Sequence, residues 1–278
     1  MNDRPSPLKF LARPELDNPA LIVSWTGDTG GLGGRVTDHL VSVLGGRPFC
    51  EIEPVEFWPF DGVAVEKSVI QFPEVRFVAG GRRDLAVFQS PPPALNWYRL
   101  LDLILEAAQQ VNVREIYAVG AMVSLAAHTS PRQVLATFSS PQIKDTLVGY
   151  DLGRGWDFET PPGQRPTLNS FLVWAAQRRK MAAVALWVPV PFYLVSSDDP
   201  RARRRVLSFF DERFNLGLDY AQLDAEVADQ DARIASIRAS SPEADQALKK
   251  LESGDTLSQE ESQRLAAEIE RALSDKSG

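Results

Sequence analysis

Few side chains in this sequence have the types and spacing that chemistry needs, and they gather in two stretches. The first is Thr26-Gly27-Asp28-Thr29-Gly30-Gly31-Leu32-Gly33-Gly34. Glycines there expose backbone N–H groups at the start of a following helix, an arrangement that can hold a phosphate. The spacing matches neither G-x-G-x-x-G nor a P-loop, and no Lys-Ser/Thr pair follows. Asp28 would repel an anion. The competing reading is a tight turn that needs glycine backbone angles. The second stretch runs from Gly120 to His128-Thr129-Ser130-Pro131-Arg132. Here His128 is a candidate base, Ser124 or Ser130 a candidate nucleophile, and Arg132 a holder of anions. A hydrolase needs a base, an orienting acid and an oxyanion hole together. No Gly-x-Ser-x-Gly elbow and no acidic partner is identifiable. His128 is therefore expected to hydrogen-bond its own loop. The candidate ligand-binding residues are Gly27, Gly30, Gly31, Gly33, Asn96, Trp97, Gly120, His128 and Arg132. No catalytic set, metal site or cofactor is expected.

Both stretches follow short apolar runs that read as buried strands. Residues 20–25 form the first strand, and 35–44 a helix with Val36, Leu40, Val41 and Leu44 on one side. Residues 49–52 and 85–88 are further strands, the latter stopped by Pro91, Pro92 and Pro93. Asn96 reads as an N-cap. Behind it Trp97, Leu100, Leu101, Ile104, Leu105 and Ala108 recur at helical spacing, and Trp97 and Trp174 fall on inward faces. Residues 115–119 are a strand broken at Gly120, and 134–138 return as another. A helix over 166–180 leads to a strand over 182–188, stopped at Pro189. A further helix, capped by Ser197 or Asp198, spans 200–214. Strand, glycine loop and helix in alternation predict an α/β fold whose loops meet at one sheet edge.

Composition narrows the classes. At 278 residues and 44% hydrophobic, the chain can build a sizeable core. No run approaches the roughly 20 apolar residues of a membrane span. MNDRPSPLKF lacks the apolar stretch of a signal peptide. A single cysteine, Cys50, excludes an internal disulfide framework and fits a reducing cytoplasm. Two histidines and one cysteine disfavour structural zinc.

Residues 219–278 carry 14 Asp and Glu against 7 Lys and Arg, so they hold the whole net charge of -7. That balance argues against nucleic acid, which needs a basic face. The basic run Arg201-Ala-Arg203-Arg204-Arg205 reads as a solvated helix face rather than a phosphate site. Beyond it, Tyr220, Leu223, Val227, Ile234 and Ile237 fall on a seven-residue seam that Gln230 interrupts. The seam either packs on its own domain or docks a partner. With Trp156, in a glycine-rich loop, these five are candidate interface residues. Two shorter helices follow, the last capped by Ser258 with Glu261 three residues on. The expected organisation is a core domain over 1–218 and an acidic helical extension over 219–278.

Four stretches resemble the proteasome-assembly-chaperone-2 family. They are Gly27 to Gly34, the strand ending Ser90-Pro91 before Trp97, Val119-Gly120 with His128-Thr129-Ser130-Pro131-Arg132, and Leu186-Trp187-Val188-Pro189 with Tyr193 and Asp199-Pro200-Arg201-Ala202 behind it. The chain departs from the family pattern in reading Phe88-Gln89-Ser90-Pro91 after the middle strand and Ser130-Pro131-Arg132 after His128-Thr129. The resemblance implies a three-layer α/β/α sandwich of phosphorylase/hydrolase-like type with a C-terminal helical extension. It implies a non-catalytic assembly factor that forms homo-oligomers, a trimer among them, and has a protein partner. The alternative is a small-molecule or nucleotide-binding enzyme with its site at the Gly27–Gly34 and His128 loops.

Overall fold

Eight strands hydrogen-bond into one sheet in the order β1-β3-β6-β7-β2-β8-β10-β9. In chain order they are β1 (Leu8–Phe10), β2 (Ala20–Trp25), β3 (Arg47–Ile52), β6 (Arg76–Ala79), β7 (Leu85–Ser90), β8 (Glu115–Ser124), β9 (Leu135–Phe138) and β10 (Ala182–Pro191). A separate hairpin pairs β4 (Ala64–Glu66) with β5 (Val69–Gln71). These details come from a computed structural model that describes residues 6–59, 62–80, 83–153 and 166–274. Strands β7, β2, β8 and β10 run parallel at the centre, and the flanking pairs are antiparallel.

The central strands are apolar on both faces because both faces are covered. Along β2, Ala20 and Ile22 enter one buried cluster, and Leu21 and Val23 enter the other. Helices α1 (Leu32–Leu44), α5 (Pro200–Phe214), α6 (Ala221–Ser240), α7 (Pro242–Glu252) and α8 (Gln259–Ser274) feed the first cluster, with the short α3 (Pro141–Thr146). Helices α2 (Trp97–Gln110) and α4 (Leu168–Arg178) feed the second. At the start of β8, Arg213 forks onto Glu115 at 2.7 and 2.8 Å, and Tyr117 Oη donates to Glu115 at 2.5 Å. Burial alone would raise the Glu115 pKa. The hydrogen bonds from Arg213 and Tyr117, with the Arg213 charge, bring it below the usual value instead.

Four local expectations are corrected. Strand β8 does not break at Gly120 but continues to Ser124. A Cβ at Gly120 would stand 2.7 Å from the Trp187 ring and 2.8 Å from Asn169 Nδ2, so the glycine makes room for its neighbours. Strand β10 passes through Pro189 to Pro191. Its partner β9 pairs only with residues 184–187, so the later residues have one open edge, where proline is tolerated. Asn96 makes no side-chain cap. It adopts φ +48° and donates from Nδ2 to Glu56 O at 2.9 Å. Trp97 and Trp174 are not inward. Residues such as Leu100, Ile104, Leu172 and Ala176 fill the buried faces, leaving the tryptophans 38% and 43% exposed. Trp97 packs 4.3 Å from Phe171, and Tyr98 packs 6.1 Å from Trp174.

The seam of α6 turns toward its own chain. Leu223, Ile234 and Ile237 are buried with Leu248, Leu251, Leu265 and Ile269 against Tyr193 and Leu194. Gln230, the apparent interruption, is buried too and donates to Asp198 O at 2.7 Å. Ser258 and Glu261 form the reciprocal cap that their spacing predicts: Glu261 N donates to Ser258 Oγ at 3.2 Å, and Ser258 N to Glu261 Oε2 at 2.8 Å. No helix among the described residues is long and apolar enough to cross a membrane.

Candidate functional site

Because β7, β2 and β8 are adjacent and parallel, their C-terminal ends deliver the Ser90, Gly27–Gly34 and Ser124–Arg132 loops to one sheet edge. The glycine loop is spent on its own backbone. Gly27, Gly30 and Gly31 take φ of +80°, +66° and +62°. Gly30 N donates to Val195 O at 3.0 Å, and a Cβ on Gly30 would stand 3.0 Å from Ser197 O. Gly31 N donates to Asp28 O at 2.8 Å, and Gly33 N to Asp28 Oδ2 at 3.0 Å. The Gly30, Gly31 and Gly33 amides, three of those a phosphate would need, are thus occupied. Gly33 also lets α1 approach β2, since a Cβ there would lie 3.1 Å from Ser24 Cβ. Asp28 Oδ1 is buried without a hydrogen-bond partner, and burial pushes the Asp28 carboxyl up to about 6.

His128 is 4% exposed. Its backbone N–H donates to Tyr193 Oη at 2.6 Å, and its Nδ1 lies 3.1 Å from the same oxygen. Burial holds the imidazole pKa below its ordinary value. The Asp231 and Glu252 charges oppose that shift, and Arg201 and Arg132 reinforce it. Among the described residues, no hydrogen bond joins His128 to Ser124, Ser130 or a carboxylate. Ser124 Oγ instead accepts from Ala126 N at 3.1 Å. Arg132 is equally committed. Its Nε donates to Asp199 Oδ2 at 2.9 Å, and its Nη1 to Ser130 O at 2.7 Å.

Gly30, His128 and Arg132 therefore meet around one segment, Tyr193 to Asp199. Helix α8 packs on its Phe192–Leu194 turn, and Gln230 of α6 holds Asp198 O. Asn96 and Trp97 do not join them. They belong to α2, tied to Glu56 and Phe171. Gly120 serves Trp187 and Asn169, and Asn169 accepts from Trp25 Nε1 at 2.7 Å while donating to Val119 O at 3.2 Å. Trp156 lies outside the described residues.

The sequence reading missed three residues of this site. In the sequence Tyr193 stands out only as part of the family resemblance, and Gln230 only as the break in a seam. The cap of α5 is Asp199, not Ser197 or Asp198, with Oδ1 accepting from Ala202 N at 3.1 Å. Pro200 was the available signal, because proline at the first helical position puts the cap immediately before it.

A mixed sheet with a parallel centre, closed at its strand ends by helices of the same chain, defines an α/β protein whose sheet edge is filled from within. The PAC2 family model matches residues 22–238, and the chain belongs to that family. No curated protein matches it. Among solved structures it is similar to the Mycobacterium tuberculosis unknown function protein Rv2714 (19% identity, TM-score 0.74, covering 97% of this chain and 93% of that one). It is also similar to a protein of unknown function from Corynebacterium glutamicum (18%, TM-score 0.73, 95% and 98%). A third is Pyrococcus furiosus PbaB, an archaeal proteasome activator (20%, TM-score 0.68, 83% and 98%). At these identities the likeness establishes a shared fold.

Proposed function

We propose that this protein is a non-catalytic, protein-binding assembly factor, working as a homo-oligomer in the cytoplasm, with a trimer as the expected count. Its partners would be proteins such as proteasome subunits, with no nucleic acid or membrane involved. The observation that carries this reading is the burial of His128 against Tyr193, beside a turn covered by α8, with no hydrogen-bonded acid among the described residues to orient it. Without that pair, a hydrolase at the Gly27–Gly34 and His128 loops has no base to run on. Family membership and the likeness to PbaB support the same reading. The exposed Trp97, Tyr98 and Trp174 offer an aromatic face of the kind protein interfaces use.

In this reading the fold is a three-layer α/β/α sandwich of phosphorylase/hydrolase-like type. Residues 1–218 form the core, and 219–278 an acidic helical extension. Trp156, Tyr220 and Val227 are the candidate interface residues left for a partner, since Leu223, Ile234 and Ile237 are buried in their own chain. Native mass spectrometry, with and without purified proteasome α-subunits, tests it. The expected result is a trimer that takes up α-subunits in fixed ratio. A monomer at every concentration that forms no such complex overturns it.

A further inference from the structure

The basic run at the start of α5 has no part in the assembly reading, and the fold gives it a setting the sequence did not. Arg201, Arg204, Arg205 and Ser208 line up on one face of α5. They form a cleft of about 430 Å³ with the Thr129–Arg132 loop and the first turns of α6. Four of the lining residues are arginines, counting Arg132, and Asp224 is the one acid among them. The volume falls in the range of about 300–1,000 Å³ usual for small-molecule sites.

Two of these arginines hold unused donors. Arg132 is 6% exposed, and its Nη2 has no hydrogen-bond partner. Arg201 pairs with Asp231 through Nη2, while its buried Nε has no partner. An uncompensated buried donor is unfavourable, and both guanidinium groups belong to side chains that line the cleft. The other two arginines have replaceable partners. Arg204 bonds to the exposed Asp224 and lies over the Tyr220 ring, and Arg205 bonds to the backbone oxygen and carboxylate of Asp151, whose side chain is 85% exposed. Exposed pairs of this kind hold weakly. Guanidinium groups match the oxygens of a phosphoryl group in a planar, two-pronged fashion that Lys cannot reproduce. Pro131 and Val227 are the apolar residues of the lining, and the other eight are polar or charged.

We propose that this cleft binds a small phosphate-class oxyanion, through Arg132, Arg201, Arg204 and Arg205. The site stands apart from the Gly27–Gly34 loop and from His128, neither of which lines it, and it does not depend on the assembly reading.

The test is isothermal titration calorimetry of the full chain with inorganic pyrophosphate, run against sodium chloride at matched ionic strength. The expected result is saturable binding at one site per chain, weakened about tenfold or more by Arg204→Gln with Arg205→Gln, as loss of charge-assisted contacts demands. Arg204 also pairs with α6, so Arg205→Gln alone is the second variant, chosen because Asp151 leaves its partner side open to solvent. It should weaken binding with an unchanged circular dichroism spectrum and melting temperature. Arg178→Gln, exposed on α4, should bind as the parent does. Absence of saturable binding overturns the proposal. So does equal affinity in Arg205→Gln, or a signal that sodium chloride reproduces.

Discussion

The Tyr193 hydroxyl accepts the His128 backbone N–H at 2.6 Å and faces that residue's Nδ1 at 3.1 Å. One phenol thus satisfies the loop backbone and leaves its own proton for the imidazole. Tyr193→Phe removes both contacts and strands a buried N–H. The expected loss is about 1–3 kcal/mol, read from the denaturant midpoint, with the far-ultraviolet spectrum unchanged. An unchanged midpoint would show the pairing to be incidental.

Arg132 and Asp199 form a buried ion pair, with side chains 3% and 1% exposed. Asp199 also caps α5. Arg132→Met leaves a buried carboxylate without its cation, and the expected cost is about 3–5 kcal/mol in a urea titration. Asp199→Asn should cost a similar amount, because its one amide oxygen can keep Ala202 N or Arg132 but not both, and the buried guanidinium loses its counter-charge.

Titration of two groups pulls stability in opposite directions. Burial raises the Asp28 pKa from 3.8 to about 6. A raised folded pKa means that its contribution is fully present below the unfolded value and is lost as pH rises through about 6. Asp28→Asn should therefore gain on the parent across that window, by roughly 1–3 kcal/mol at neutral pH. His128 works the other way. Its lowered folded pKa means that its contribution is present above the unfolded value of 6.5 and is lost as pH falls below it. His128→Gln should flatten the acid side of the profile. Thermal melts from pH 4 to pH 8 check both, and parallel curves for parent and variants would refute the assignments.

Gly120→Ala places a methyl group against Trp187 and Asn169 in the middle of β8. The expected cost is about 1–3 kcal/mol, with a change in tryptophan fluorescence, because Trp25 bonds to the same asparagine.

Leu265 and Ile269 are the buried residues of α8. Leu265→Ala with Ile269→Ala should cost about 4 kcal/mol or more and make the Phe192–Leu194 turn accessible to protease. If the doubly substituted chain melts as the parent does, α8 is not part of the cooperative unit.

Much of the sheet could be read from the sequence because its central strands are continuous β-rich runs bounded by glycine or proline. Ala20–Trp25 and Leu85–Ser90 are of this kind. Gly120 and Pro189 misled for one reason: both are strand breakers by propensity, and tertiary context overrides propensity where a ring needs space or an edge is open. Candidate site residues were partly visible. His128 and Arg132 stand out as candidates, since polar residues in a loop beyond a strand are conspicuous. Their partners Tyr193 and Asp199 lie more than sixty residues away in sequence, so no local pattern could pair them. Trp97 and Trp174 were misplaced because helical spacing gives a periodicity without saying where the buried stripe ends.

The cover that α8 lays on the Phe192–Leu194 turn has a consequence for synthesis. A ribosome releases β10 and α5 well before Leu265 and Ile269. During that interval the nascent chain carries an uncovered apolar turn beside the buried pair of Arg132 and Asp199. Synthesis of α8, not the pairing of the sheet, is therefore the step that takes this turn out of reach of chaperones and proteases.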